Sequence, residues 1–105
     1  MTQEYALELG TLCNTVLDVN KNIQSVSVIN KSGRAVVEKS AHGVNMPVHK
    51  EQHEILFMQC ALTISMGRDF DEPFGEIGYI HVERKNLEMF SIPLDENIVL
   101  VTSKT

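Results

Sequence analysis

Residues 55 to 66, Ile-Leu-Phe-Met-Gln-Cys-Ala-Leu-Thr-Ile-Ser-Met, make a helix with two apolar stripes instead of one. At about 100° per residue, Ile55, Met58, Leu62 and Met66 fall on one side. Leu56, Phe57, Cys60 and Ile64 fall on nearly the opposite side. Narrow lanes separate the two, Gln59 with Thr63 and Ala61 with Ser65. A helix that covers one face of a small sheet needs a single stripe. A second stripe needs a second cover, and a chain of 105 residues has little left to supply it. The economical cover is a second copy of the chain.

A chain of this length reads as one domain, 1–105, with a modest core that gains from burying more surface in a dimer. The net charge of −5 argues against a nucleic-acid backbone as partner, and the densest basic spot is only Arg84-Lys85. Cys13 and Cys60 lie in helical, apolar contexts and read as buried free thiols. Met1-Thr2-Gln3-Glu4 has neither the basic start nor the apolar run of a signal peptide. No window approaches the ~20 apolar residues of a membrane span. A cytoplasmic, reducing setting without membrane contact is the expectation.

Thr2 can cap a first helix at 3–19, where Tyr5, Leu9, Leu12 and Val16 recur at helical spacing. Residues 23–30 read as a strand, Val26 and Val28 alternating with Ser25 and Ser27. Asn30-Lys31-Ser32-Gly33 is a turn, and 34–39 returns as the second strand of a hairpin. Residues 40–48 read as a loop containing Gly43 and Pro47. The second helix spans 49–67, with Gly67 as its C-cap. An acidic loop, 69–75, leads to three strands at 77–84, 87–92 and 98–102, joined by Lys85-Asn86 and by 93–97. Connections this short make antiparallel neighbours. The order α-ββ-α-βββ is an α+β domain, a five-stranded antiparallel sheet with two helices. Val26, Val28, Ile80, Val82, Phe90, Ile92, Val99 and Val101 are the expected inward positions, uniformly apolar.

Three segments resemble the roadblock/LC7 family, a branch of the profilin-like and longin-like sandwiches. Residues 26–34 are similar to its first hairpin, where a glycine follows a polar turn. The doubly apolar helix 55–66 resembles its dimer helix, and 79–94 its strand meander, ending in Pro93-Leu94. Leu56-Phe57-Met58-Gln59, Ile64-Ser65-Met66, Arg68-Asp69-Phe70-Asp71 and the stretch from Val82-Glu83-Arg84 to Pro93-Leu94 also resemble a set of small archaeal proteins of unknown function. Many roadblock domains carry a further C-terminal helix, which does not occur before Thr105. The resemblance implies a homodimeric or heterodimeric scaffold that regulates small Ras-like GTPases.

The expected dimer interface is Ile55, Met58, Leu62 and Met66, with Ala61 and Ser65 in the small-residue lane and Tyr79 and His81 on an edge strand. Periodicity alone does not decide which stripe faces out. His49 and His53 are spaced i, i+4, but Lys50 stands where a metalloprotease motif needs Glu, and no third ligand is fixed, although Glu54 and His42 are near in sequence. His81 alternates away from Ile80 and Val82 and reads as a cross-strand or exposed residue, the alternative being a pH switch at a dimer seam. Asp69, Asp71, Glu72 and Glu76 lack calcium-loop spacing. They read as a solvated loop whose Phe70 and Phe74 tuck into the core, the alternative being a docking loop for a basic partner.

Glycines Gly33, Gly43, Gly67, Gly75 and Gly78 are dispersed, with no Gly-Lys-Ser/Thr, no nucleophile elbow and no Cys-x-x-Cys. The expectation is therefore a non-catalytic adaptor with no cofactor and no metal. Its partners would be a second copy and a protein such as a small GTPase. A small-molecule-sensing profilin-like domain is the competing reading, and it requires polar groups converging on a pocket.

Overall fold

The computed structural model describes residues 3–41 and 49–105. Thr2, His42, Gly43 and Pro47 lie outside the described residues, and with them the proposed first cap and most of the loop before the second helix. Helix α1 (Gln3–Val19) leads into the hairpin β1 (Ile23–Ile29) and β2 (Ala35–Ser40). Helix α2 (Lys50–Gly67) follows, then a short helical segment and the meander β3 (Ile80–Glu83), β4 (Glu88–Leu94) and β5 (Asn97–Ser103). The strands form one sheet in the order β2-β1-β5-β4-β3, with every neighbouring pair antiparallel.

The two long helices cover opposite faces of this sheet. On one face, Leu9 and Cys13 of α1 meet Val26, Val28, Val99 and Val101. On the other, Phe57, Ala61 and Ile64 of α2 meet Ile29, Met89, Ile98 and Leu100. The central strands β1 and β5 are consequently buried on both sides. This corrects the list of inward positions. Val26, Val28, Phe90, Ile92, Val99 and Val101 share the α1 face through their registers, whereas Ile80 and Val82 lie on the α2 face, opposite Ser91 and Met89. The serines that alternate with valine in β1 do not face water. Ser25, Ser27, Ser91 and Thr102 are buried on the face of the sheet that α2 covers. Ser25 Oγ and Thr102 Oγ1 share a hydrogen bond, and the Cys60 thiol bonds the Ser91 side chain, so these hydroxyls help satisfy one another.

Four local expectations are overturned. Gly67 is helical rather than a C-cap. It is instead a close approach, since a Cβ there would stand 2.5 Å from Ile77 Cδ1. The acidic stretch is not a loop: a 3-10 turn, Arg68–Phe70, runs into the one-turn helix α3, Asp71–Phe74. Gly75, at φ 86° and ψ 165°, ends it, its N–H donating to the Asp71 carbonyl at 2.7 Å. That backbone region is accessible essentially to glycine alone. Finally, Pro93 belongs to β4, paired with Ile98, and Asp95-Glu96 alone make the turn. Extending the β3–β4 register by two residues would set Gly78 opposite Pro93, which has no N–H to offer. The β3 ladder therefore starts at Ile80 and not at Ile77, and Ile77 packs against the α2 core.

Both cysteines are free, and burial pushes each thiol above its ordinary value of 9.0. A thiol that holds its proton longer in the folded chain contributes stability in full below that value. The contribution is lost as pH rises above it toward the folded pKa. Urea unfolding midpoints are therefore expected to fall between about pH 8 and about pH 10, and to fall less in a Cys13→Ala/Cys60→Ala variant. Identical pH dependence in both proteins would contradict this.

Candidate interaction face

Helix α2 turns Phe57 and Ile64 fully inward, with Leu56 and Cys60 half-buried beside them. The opposite stripe is left largely uncovered by the described residues. Ile55 is 55% exposed, Met58 59%, Leu62 59% and Met66 61%. A shallow groove of about 430 Å³ runs beside it, lined by Met58, Leu62, Gln59 and Ser65 of α2 and by Lys31 and Ser32 of the β1–β2 turn. That turn sits hard against the helix, because Gly33 at φ 80° leaves no room for a side chain above Met58. Hairpin and helix are thereby locked into one surface.

The eight residues expected at an interface do not all share this surface. Ile55, Met58, Leu62, Ser65 and Met66 are exposed on the outer side of α2, while Ala61 is only 4% exposed and belongs to the core cluster under the helix. Tyr79 and His81 lie at the β3 end of the sheet, and His81 is on its α1 face. There the imidazole stacks on Phe90, centroids 4.5 Å apart and planes within 2°, and its Nε2 stands 3.4 Å from Glu88 Oε1. Tyr79 is exposed, its ring 6.5 Å from that of Phe90. Val82, absent from the expected set, is 40% exposed on the α2 side of the same edge strand. That strand is paired on one side only.

The phenylalanines of the acidic segment are not tucked into the core either. Phe70 is 56% and Phe74 81% exposed, and the two rings stack on each other. The sequence holds a signal for this: Phe70 and Phe74 continue the four-residue step of the outward residues Leu62 and Met66.

A cleft of about 670 Å³ opens between the hairpin and the first half of α2, lined by Arg34, Glu38, Lys50, His53, Glu54 and Phe57 among others. His53 stands 3.9 Å from Glu38 and packs on Phe57. Among the described residues no group of three or more His, Cys, Asp or Glu is placed to hold a metal. Zinc titrated into the protein is expected to give only dilution heat in calorimetry; a one-to-one, sub-micromolar site at His49 and His53 would contradict this.

No sequence-family model matches the chain, and no curated protein matches it by sequence. Solved structures do. A roadblock/LC7 domain from Streptomyces avermitilis superposes with a TM-score of 0.64 at 16% identity, covering 90% of this chain and 77% of that one. The fold is that of a roadblock/LC7 domain. The gliding protein MglB of Thermus thermophilus matches at a TM-score of 0.74 and 12% identity, over 96% of this chain and 72% of that one. MglB of Myxococcus xanthus matches at 0.68 and 14% identity, over 97% and 73%. At such identities the likeness is one of fold. None of the described helices is long and apolar enough to cross a membrane.

Proposed function

We propose that this chain is a non-catalytic, homodimeric adaptor of the roadblock type, a single domain in the cytoplasm that regulates a small Ras-like GTPase. The observation behind the dimer is the uncovered stripe Ile55, Met58, Leu62 and Met66. Covering four side chains from slightly over half exposure contributes roughly 1 kcal/mol each, so eight across a two-fold seam give roughly 8 kcal/mol. Association itself costs about 4–15 kcal/mol. The stripe alone is therefore marginal, and a second contact is needed. The β3 edge, with Tyr79, His81 and Val82, is the natural one, since antiparallel pairing of two copies would continue the sheet across the axis. MglB has itself been solved in a tetrameric arrangement, which supports self-association as a habit of this fold.

Size exclusion coupled to light scattering is expected to give about twice the 11.8 kDa chain mass at tens of micromolar. A monomer would refute the dimer. The GTPase is tested separately, by mass spectrometry of what immobilised protein retains from native lysate. The cleft beside His53 is where a small-molecule sensor would bind; its charged lining, Arg34, Glu38, Lys50 and Glu54, is of mixed sign.

A further inference from the structure

The Phe70–Phe74 pair is an apolar feature outside the core; it continues the step of Leu62 and Met66 past the end of α2, on a turn and a one-turn helix of its own. The rings lie 5.8 Å apart with planes 13° from parallel, an offset stack that leaves both rings largely exposed. Phe74 is the most exposed of the large hydrophobic side chains among the described residues. The pair is carried on a 3-10 turn and α3, ended by Gly75, rather than on an irregular loop. Four carboxylates, Asp69, Asp71, Glu72 and Glu76, stand beside it in sequence against the single basic residue Arg68. Asp69 and Glu72 are exposed, while Asp71 and Glu76 line a separate cleft with Arg68 that neither ring borders.

These charges decide the class of occupant. A nucleic acid or an anionic lipid surface would be repelled. A second copy of the chain would bring the same carboxylates face to face in a protein already at −5. A basic protein segment is attracted, and the two exposed rings distinguish among cations. Guanidinium is planar, weakly hydrated and forked, so it can lie on a phenyl ring while its N–H groups reach a carboxylate; a compact, strongly hydrated ammonium gives up more hydration to do the same. We propose that the Phe70–Phe74 pair and its carboxylates form a docking surface for an arginine-bearing segment of a partner protein, separate from the α2 seam.

The test is a titration of the full isotope-labelled chain, followed by amide chemical shifts. The probes are three capped peptides, Gly-Arg-Gly-Arg-Gly and its lysine and leucine counterparts. The arginine peptide is expected to shift amides within residues 68–77 with millimolar affinity, about threefold or more tighter than the lysine peptide, and more weakly as salt is raised. The leucine peptide is expected to do nothing. Phe70→Ser/Phe74→Ser should abolish the shifts while leaving the unfolding midpoint and the light-scattering mass of the wild type unchanged, since both side chains are exposed. Absent or scattered shifts, equal binding of the leucine peptide, or undiminished binding by the double variant would overturn the proposal. A changed mass in the double variant would also overturn it, by assigning the phenylalanines to self-association.

Discussion

Ile64→Asp is expected to leave no folded protein, whereas Leu62→Asp, two positions earlier on the same helix, leaves a folded monomer. Ile64 is 2% exposed and sits between α2 and the sheet, beside Ile29, Ile98 and Leu100. Truncating a buried isoleucine costs about 2–5 kcal/mol, and a carboxylate in its place adds desolvation with no partner within the apolar cluster. A domain of this size has a total stability of about 5–15 kcal/mol, so the substitution removes most or all of it. Leu62 is 59% exposed, and the same substitution there alters the isolated fold by about 0.5 kcal/mol or less. At a two-fold seam, however, each copy would bring in an unpaired carboxylate. Circular dichroism and urea unfolding read the fold, and light scattering reads the mass. A Leu62→Asp variant that keeps the wild-type dimer mass would move the seam off this stripe. An Ile64→Asp variant with near-native unfolding would contradict the packing of α2.

The contrast shows where sequence is enough. The bounds of α1 and the order of helices and strands along the chain follow from periodicity and turn residues, because α1 has a single apolar stripe and the hairpin turns are marked by their residues. The pairing of β1 with β5 is seen only in the sheet. Helix α2 is legible as a two-sided helix, but its two stripes are almost equally apolar. Only the packing shows that Phe57 and Ile64 go inward. The serines of β1 mislead for a related reason. Alternation implies one wet face, yet Ser25 and Ser27 are small hydroxyl-bearing residues that fit under a helix. The acidic run reads as a loop because Pro73 usually interrupts helices. At the third position of a one-turn helix that begins at Asp71, however, proline sits where its missing N–H has no intrahelical acceptor. Phe70 and Phe74 read as core residues on composition alone, and nothing in their local pattern opposes exposure.

Gly33→Ala is expected to destabilise the protein by about 2–5 kcal/mol, more than any other single-methyl addition among the glycines of positive φ. Two costs coincide at this turn. The backbone stands at φ 80°, which L side chains adopt at a cost of about 1–2 kcal/mol. A Cβ would also lie 2.6 Å from Met58 Cα and 2.9 Å from Met58 N, both main-chain atoms of α2 that cannot rotate away. Relieving that overlap forces the hairpin off the helix, and overpacking of this kind costs about 1–3 kcal/mol. Gly75→Ala serves as the control. Its backbone, at φ 86° and ψ 165°, is at least as demanding, but a Cβ there has nothing within 4 Å, so only the conformational cost applies. Urea midpoints of the two variants separate strain from collision: a larger fall for Gly33→Ala marks the overlap, since Gly75→Ala carries at least as much backbone strain. The same displacement would lift Lys31 and Ser32 from the groove beside Met58, so at equal folded concentration Gly33→Ala should also weaken the dimer, and Gly75→Ala should not. Equal losses of stability in the two variants would mean that the hairpin yields freely, and that the surface joining it to α2 is not rigid.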